Sequence, residues 1–338
     1  MTKQPHILIV APAWVGDAVL SQPLLRRLQV RNPGALIDVL APPWTRAVYE
    51  RMAEVHAVHD LPFAHGELAL RKRYALGRSL ARQAYTQAVV LPNSLKSALV
   101  PFFARIPRRT GYVGEMRRGL LNDARTLDKQ ALPLMIERFA ALAEDAGPAA
   151  IRPLAEVSLR IDPAARSATL LKLGLRAVSN IAVLCPGAEY GPAKRWPVEY
   201  FGALAQRFDA AGWQVWIAGS AKDATVGAEI VTAAGGIGIN LCGKTSLAEA
   251  IDLMSCASHV VSNDSGLMHV AAALDRPLTA IYGSSSPAFT PPPSPHARIV
   301  RTDIACSPCF RRECPLGHFK CMRELGVEAV WQAVGAAA

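Results

Sequence analysis

The first half of the chain alternates short apolar runs with longer stripes in which apolar residues recur at helical spacing. From Ala18 onward a leucine appears every four residues as far as Leu28, which predicts a helix after the first apolar run. Alternation of strands and helices predicts a largely parallel sheet that is covered by helices. The strands predicted in this half are 6–12, 35–42 and 87–94.

The same alternation restarts in the second half. Pro197 opens an amphipathic stretch at 196–208, where a helix tolerates proline because the first-turn N–H needs no partner. Ser246, followed three residues later by a glutamate, forms a capping box that predicts a helix over 245–257. The strands predicted here are 180–187, 212–220, 259–264 and 276–283.

Between the halves, residues 145–166 are rich in proline and weak in periodicity, which indicates a domain boundary. We therefore predict an α/β protein with two Rossmann-like, doubly wound parallel-sheet domains, 1–165 and 166–338. A chain of 338 residues is long enough for two such cores. Ligands in these folds bind beyond the carboxyl ends of the strands, so the loops that follow the strands are where chemistry is expected.

Charge is distributed unevenly between the two halves. The net charge is +10, and residues 1–169 hold 23 Lys and Arg against 14 Asp and Glu, whereas the remaining residues hold 14 against 13. The excess favours an anionic partner for the first half, although solvated surface explains most single residues. Aromatic residues are not interleaved with these arginines, which argues against single-stranded nucleic acid as the partner.

The sequence shows no clear targeting segment and no sign of a disulfide framework. No apolar run approaches the length that crosses a bilayer, and the opening residues MTKQPHILIV indicate a first strand rather than a signal peptide. The seven cysteines are an odd number in a chain of this size, so a disulfide framework is not expected and a reducing compartment fits better.

The segment SNDSGLMHVAAAL (262–274) places an acid, a serine and a glycine between a predicted strand and a helix. Gly266 permits a tight bend with close backbone approach, and the helix start offers N–H groups and a positive dipole end. This combination predicts an anion-binding turn.

Two other loops carry candidate chemistry. Asp17 lies between the first strand and the first helix, where it is either a helix cap or a carboxylate that acts as a general base. In CPGAEYGPAKRWP (185–197), Lys194 and Arg195 stand before a helix start, a position that suits a diphosphate. The alternative for this second loop is a solvated turn.

GINLCGKT (238–245) matches the phosphate-binding pattern G-x-x-x-x-G-K-[ST]. No strand is predicted before its first glycine, and INLC resembles a short strand, so a P-loop phosphotransferase using Lys244 is the weaker alternative.

The end of the chain concentrates thiols in the spacing C-x2-C-x4-C-x6-C, with His318 nearby. Four such ligands suit a structural zinc ion, while an iron–sulfur cluster and plain buried thiols are the alternatives. The candidate ligands are Cys306, Cys309, Cys314 and Cys321.

Several segments together resemble the ADP-heptose:lipopolysaccharide heptosyltransferases: APAWVGDAVLSQPLLRRL, VLPNSLKSALVPFFARIPRRTGY, GEMRRGLLND, PGAEYGPAKRWP, GSAKD and NDSGLMHVAAALDRPLTAIYGSSSPAFTPP. They extend from about residue 9 to about residue 293. The resemblance implies a GT-B fold of two Rossmann-like domains facing a cleft, an N-terminal acceptor domain and a C-terminal donor domain.

The resemblance also implies roles for residues. Asp17 matches the family's base, Lys194 its diphosphate-binding lysine, and the turn beginning at Asp264 its donor signature. The implied reaction is inverting transfer of heptose from ADP-L-glycero-D-manno-heptose to the first heptose of the lipopolysaccharide inner core, with transfer to Kdo-lipid A as the alternative. The donor residues implied are Gly187, Ala188, Glu189, Lys194, Asp264, Ser265, Gly266 and His269.

The resemblance gives the basic half a cause, because the implied acceptor, lipid A with its inner core, carries phosphates and carboxylates. The expected setting is the cytoplasmic face of the inner membrane, with peripheral binding there, no nucleic acid partner and no cofactor required for catalysis. The residues expected to bind the acceptor are Arg108, Arg109, Arg117 and Arg118.

Overall fold

The structure, a computed structural model, describes residues 4–63, 66–146, 151–176 and 179–335. It divides into two compact units, Met1–Glu156 and Val157–Ala338. The boundary expected after residue 165 falls inside a helix of the second unit, Pro163–Lys172. That helix begins there because the Asp162 side chain accepts hydrogen bonds from the N–H groups of its first turn, while Pro163 supplies the preset backbone angle.

The first unit contains a six-stranded parallel sheet in the order β3-β2-β1-β4-β5-β6. The chain runs outward from β1 to β3 and then returns to the other side of β1, so the strand order reverses between β1 and β4. This reversal is the topological switch point, where open α/β sheets bind ligands. The strands are β1 (His6–Val10), β2 (Leu36–Ala41), β3 (Ala57–Asp60), β4 (Gln87–Val90), β5 (Arg108–Tyr112) and β6 (Asp123–Arg125).

The single helix expected from Ala18 to Leu28 is two helices in the structure. Pro23 has no N–H to continue the first helix, and the Ser21 hydroxyl instead donates to the Ala18 carbonyl at 2.7 Å. The helices are α1 (Val15–Leu20), α2 (Gln22–Arg31), α3 (Arg46–Glu50), α4 (Leu70–Leu80), α5 (Leu99–Phe103) and α6 (Met135–Ala141).

The second unit repeats the plan with strand order β12-β11-β10-β7-β8-β9, so its switch point lies between β7 and β10. Strands β7, β10 and β11 are buried along their whole length, as expected for the centre of a sheet covered on both faces. The strands are β7 (Ile181–Cys185), β8 (Gln214–Ile217), β9 (Ile239–Asn240), β10 (His259–Asn263), β11 (Leu278–Tyr282) and β12 (Ala297–Arg301).

The capping box predicted at Ser246 is confirmed by two reciprocal bonds: the Ser246 N–H donates to Glu249 Oε2 at 2.8 Å, and the Glu249 N–H donates to Ser246 Oγ at 3.2 Å. Phe201 and Phe208 are fully buried in the hydrophobic core of the second unit. The helices are α7 (Pro163–Lys172), α8 (Val198–Ala210), α9 (Ala224–Ala233), α10 (Leu247–Met254), α11 (Gly266–Ala273), α12 (Lys320–Arg323) and α13 (Val327–Gly335).

The predicted fold class, α/β with two doubly wound parallel sheets, is confirmed. The pattern missed strands that lie at or near the sheet edges, such as β3, β6 and β12, because partly exposed strands mix polar with apolar residues and lack a continuous apolar run. Across the described ranges, every helix is too short or too polar to traverse a bilayer.

Candidate active site

An ion pair joins two loops at the switch point of the second sheet. Lys194 Nζ lies 2.5 Å from Asp264 Oδ2, and the two side chains are 16% and 5% exposed. Lys194 ends a 3₁₀ turn, Pro192–Lys194, and Asp264 directly follows β10. The Ser285 hydroxyl donates to the same Asp264 oxygen. Asp264 therefore fixes the lysine ammonium at the carboxyl edge of the sheet.

The last residue of β10 holds the loop that carries Lys194. The Asn263 side chain donates to the Pro186 carbonyl at 2.7 Å and accepts the Trp196 N–H at 3.2 Å. Both ends of the loop are thus tied to one buried amide. This rigid support limits how far the lysine can move, which matters because charge stabilisation depends on preorganised groups.

The turn after Asp264 presents the start of α11. Ser265 occupies the N-cap position with extended backbone, and its side chain makes no cap hydrogen bond. In the described structure the first N–H groups of this eight-residue helix, which begins at Gly266, have no side-chain cap. An anion beside the turn would satisfy these groups and meet the positive helix end.

Two buried polar atoms close to this turn lack partners among the described residues: His269 Nδ1 and Ser284 Oγ. Burial lowers the pKa of His269 to about 4, with the nearby Asp264 opposing the shift and Lys194 adding to it. The ring is therefore neutral near neutral pH and contributes hydrogen-bonding capacity rather than charge. Unsatisfied buried polar groups are rare and mark these atoms as candidate ligand contacts.

The other predicted donor residues in this loop, Gly187, Ala188 and Glu189, differ in their exposure to solvent and in their neighbours. A Cβ on Gly187 would lie 2.6 Å from Asp223 Oδ2, so glycine is needed for the loop to approach that carboxylate. Ala188 is 2% exposed and faces the interior. Glu189 is exposed and paired with Lys222. Only the Glu189 side chain among these three is displayed to solvent.

The cysteine-rich segment, defined here as residues 306–321, packs against the loop that carries Lys194. The Ala193 N–H donates to the Arg312 carbonyl at 3.0 Å, and the Tyr190 hydroxyl donates to the Phe310 carbonyl at 2.7 Å. A Cβ on Gly191 would lie 2.4 Å from the same Arg312 oxygen. The segment therefore supports the candidate donor loop from outside the sheet.

The four thiols of that segment do not form a closed ligand set in this structure. Cys306 is exposed and Cys321 is buried, and the pKa of Cys321 is raised by burial and by the other three thiols near it. Cys314 accepts the Phe319 N–H, which lowers its pKa. Among the described residues, the potential metal ligands whose ligand atoms lie within 4.8 Å of one another are instead His6, Asp38 and His56. Metal binding by the thiols stays a prediction.

Asp17 lies at the switch point of the first sheet, on the loop side of β1. It is the third residue of α1 and half-buried, and the N-cap residue is Trp14, so Asp17 is not the cap. Tyr49 is fully buried, and its pKa is raised by burial and also by the Asp17 charge, with the Ser21 hydroxyl acting in the opposite direction. A carboxylate therefore sits beside a neutral phenol at this edge.

Among the four predicted acceptor arginines, Arg117 must be corrected. It is 1% exposed, and its guanidinium donates to the Tyr112 carbonyl at 3.0 Å and to Ser97 Oγ at 3.1 Å. Burial lowers its pKa to about 10. Its place inside the fold serves to hold the loop after β4, and it does not reach an acceptor at the surface.

The other three arginines lie at or near the surface with different partners. Arg109 is half-buried, and its guanidinium donates to the carbonyls of Ile106 and Leu120, which fixes the turn between them. Arg108 is exposed and paired with Asp123 at 3.0 Å, and Arg118 is exposed. Arg108 and Arg118 are the two whose position suits a large anionic ligand.

The P-loop alternative does not fit the geometry around Lys244. The strand in this region, β9, lies inside the motif instead of before its first glycine, and α9 precedes it. Lys244 is exposed and stands three residues before α10. A phosphate cradle needs the strand-loop-helix order that this segment lacks.

The sequence pattern did not identify Asn263, Ser284 and Ser285 as individual site residues. The run GSSSP directly after β11 carried the signal, since it is unusually polar at a strand's carboxyl end. Asn263 lies in the polar segment 262–274, but its role in holding the loop is recognised only once its two loop partners are seen.

Comparison with known proteins gives consistent matches. Residues 73–320 match glycosyltransferase family 9 (heptosyltransferase). Lipopolysaccharide heptosyltransferase 2 of Salmonella typhimurium is 49% identical over 304 residues, which cover 87% of each chain. The solved structure of Escherichia coli ADP-heptose lipopolysaccharide heptosyltransferase II has a TM-score of 0.88 at 44% identity and covers 98% of each chain. Lipopolysaccharide heptosyltransferase 1 of Pseudomonas aeruginosa matches only 36% of this chain, at 33% identity.

Proposed function

This chain belongs to glycosyltransferase family 9, the heptosyltransferases, and from that membership we propose that it moves heptose from ADP-heptose to the first heptose of the lipopolysaccharide inner core. The observation that carries the proposal is the Lys194–Asp264 pair, which holds an ammonium close to the uncapped start of α11, where a diphosphate would bind. The similarity to heptosyltransferase 2 over most of the chain favours a heptose acceptor over Kdo-lipid A.

The donor would bind to the second unit with its diphosphate beside Lys194. One N–H of the ammonium is used by Asp264, and two remain for phosphate oxygens, since an ammonium has three. The N–H groups after Ser265 would meet the same charge. These contacts strengthen as the leaving diphosphate gains negative charge, so they lower the barrier of the chemical step.

The first unit would supply the base. An acceptor heptose hydroxyl attacks the anomeric carbon of the donor, the new C–O bond forms opposite the departing diphosphate, and configuration inverts. Asp17 takes the hydroxyl proton, and ADP leaves. The scheme needs no cofactor, because the cation that meets the diphosphate is a side chain.

Acceptor binding by the first unit accords with its charge. Residues 1–156 hold 21 Lys and Arg against 13 Asp and Glu, and the acceptor's phosphates and carboxylates would bind such a surface. Arg108 and Arg118 are the exposed candidates.

A patch on α4 and α5 fits a membrane surface, and we propose that the enzyme docks there at the cytoplasmic face of the inner membrane. Leu70, Tyr74 and Phe102 are 50%, 53% and 40% exposed. Tyr74 and Phe102 line one surface depression together with Arg78 and Arg105. Apolar side chains rimmed by arginines suit a bilayer interface that carries anionic headgroups.

The decisive experiment incubates the protein with ADP-heptose and lipid A acceptors that carry either no heptose or one heptose, followed by mass spectrometry. The proposal expects one added heptose on the second acceptor and little on the first. Equal or preferential transfer to the acceptor without heptose would assign the earlier step instead. No transfer to either, with ADP binding retained, would reject the acceptor class.

A further inference from the structure

The amino-terminal edge of the first sheet carries a cluster of titratable groups that the proposed reaction does not use. Asp38 in β2 is 2% exposed and is surrounded by His6 at the start of β1, His56 just before β3 and His59 within β3. The cluster lies at the opposite end of β1 from the loop that leads to Asp17. Histidines from β1 and from β3 with the segment before it thus surround one buried carboxylate of the strand between them, β2.

A nitrogen of each of the three histidines lies close to an Asp38 carboxylate oxygen. His6 Nε2 lies 3.0 Å from Asp38 Oδ2, His56 Nδ1 lies 2.9 Å from Oδ1, and His59 Nε2 lies 3.0 Å from Oδ2. The Tyr85 hydroxyl donates to Oδ2 at 2.7 Å. The ligand atoms of His6, Asp38 and His56 all lie within 4.8 Å of one another.

The tautomer of His6 is fixed by its other nitrogen. Its Nδ1 lies 3.1 Å from the Gln83 carbonyl, which can only accept, so Nδ1 carries a hydrogen. A neutral ring then directs the Nε2 lone pair at the carboxylate. Nε2 is buried and has no well-aligned hydrogen-bond partner in the described residues. Two lone pairs 3.0 Å apart repel each other, so the arrangement calls for a positive charge between them.

We propose that His6, Asp38 and His56 bind one divalent transition-metal ion of the zinc class, while His59 Nε2 holds Asp38 Oδ2 from beside the site. Imidazole nitrogen and carboxylate oxygen are zinc ligands, with bonds of roughly 2.0–2.2 Å, and a tetrahedral site then spaces its ligand atoms about 3.3 Å apart. A ring that donates its other N–H to a carbonyl, as His6 does to Gln83, is the usual form of a metal-bound histidine.

The surroundings satisfy the other requirements of such a site. The Tyr85 hydroxyl orients the carboxylate from outside the ligand set. The His56 side chain is 53% exposed, which gives an ion a path from solvent. The ion would join β1, β2 and the segment that leads into the edge strand β3. Because it binds only the folded chain, it would stabilise this unit.

A competing explanation is that protons alone supply the positive charge on the histidines, and the cysteine-rich segment is a second potential metal site. Cobalt separates these cases, because Co²⁺ bound to thiolates gives strong near-ultraviolet charge-transfer bands, whereas nitrogen and oxygen ligands give only visible bands. The full-length protein is treated with a chelator, desalted, and titrated with Co²⁺ and then Zn²⁺.

The variants are His6→Gln and His56→Gln, with His296→Gln as the control because His296 forms a surface pair with Asp275 and touches none of these groups. Circular dichroism first establishes that each variant is folded, and the half-exposed position of His56 makes its variant the safer of the two. Both metal affinity and the zinc-induced rise in Tm are then measured for all three.

The proposal expects one equivalent of cobalt with nitrogen and oxygen bands, displaced by zinc. Both cluster variants should weaken that binding at least tenfold and show a smaller zinc-dependent rise in Tm than the wild type, and the control should match the wild type. Cobalt bands of the thiolate type alone would overturn the proposal. So would equal metal binding by all variants, or no visible bands at millimolar cobalt, which would leave a protonated histidine cluster.

Discussion

Lys194 Nζ and Asp264 Oδ2 lie 2.5 Å apart although 70 residues separate them in the chain. The pair exists because β7 and β10 are neighbours in the sheet, which brings their carboxyl-end loops together. Asp264 is held in turn by Ser285. Lys194 is thus a charged group with a fixed position, which is the arrangement that stabilises a leaving diphosphate at low reorganisation cost.

Lys194→Ala should lower both donor affinity and kcat, because the ammonium meets charge that grows during the reaction. We expect kcat/KM to fall by roughly 100- to 1,000-fold, the usual loss for one preorganised electrostatic contact. Lys244→Ala is the matched control, an exposed lysine in the same unit. Steady-state kinetics in which both variants resemble the wild type would reduce Lys194 to a surface residue.

Asp264→Asn should act through Lys194 and not by touching the substrate. The neutral amide would leave the lysine without its fixed partner, so kcat/KM should fall. In the Lys194→Ala background the same change should cost little more, because the two residues work as one unit. Independent, additive losses in this double-mutant cycle would contradict a positioning role for Asp264.

Asp17→Asn should nearly abolish turnover while ADP still binds. Loss of a general base typically costs ~100- to 10,000-fold, and the base is needed only in the chemical step. Asp60→Asn is the control, because it makes the same charge change at an exposed carboxylate of the same unit. Calorimetry of ADP binding accompanies the kinetics. Turnover of Asp17→Asn above half that of the wild type would remove the assignment.

Two buried histidines make stability depend on pH. Burial lowers the pKa of His259, like that of His269, to about 4, from about 6.5 in an unfolded chain. Between these values the unfolded chain binds protons that the folded chain does not, so the free energy of unfolding falls as pH drops from 6.5 to 4.

Each histidine should contribute a slope of about 1.4 kcal/mol per pH unit inside that window and none above it. Urea unfolding of His259→Gln across pH 4 to 7.5 should show a shallower acid slope than the wild type. His296→Gln, an exposed control, should keep the wild-type slope. Equal slopes in all three proteins would mean that His259 titrates normally when folded.

The cysteine-rich segment should act in structure, with zinc as the expected ion. Cys309→Ser should lower Tm but leave turnover at low temperature largely unchanged, because the segment supports the Lys194 loop without reaching the proposed reacting atoms. Cys256→Ser, a half-buried thiol elsewhere, is the comparison.

Elemental analysis of protein purified without chelator separates the metal from the thiols. Loss of one zinc in Cys309→Ser but not in Cys256→Ser is the expected result. Metal content that is the same in Cys309→Ser and Cys256→Ser, together with titratable thiols at all four positions, would favour plain buried cysteines.

The patch on α4 and α5 should mediate binding to anionic vesicles. Tyr74→Ser combined with Phe102→Ser should weaken binding to phosphatidylglycerol-containing vesicles by at least tenfold, since each buried aromatic contributes roughly 1.5–3 kcal/mol. Leu171→Ser, an exposed apolar residue of the second unit, is the control. Co-sedimentation that is equal for all three proteins would rule the patch out as the docking surface.

The sequence by itself determined the alternation of strands and helices, the two-part organisation and the loops that carry the candidate chemistry. Central strands are buried on both faces and therefore appear as continuous apolar runs, and parallel strands place the residues after them at one edge of the sheet. That is why Asp17, Lys194 and Asp264 could be singled out from local pattern alone.

Only the tertiary structure decided which polar residues meet. Arg117 and Arg118 are neighbours of the same type, yet one is buried under carbonyls of distant loops and the other is exposed. The Ser285 contact with Asp264 and the histidine cluster around Asp38 also join residues from separate strands. Side-chain burial and hydrogen bonding depend on which segments pack together in space, and that information is spread over the whole chain.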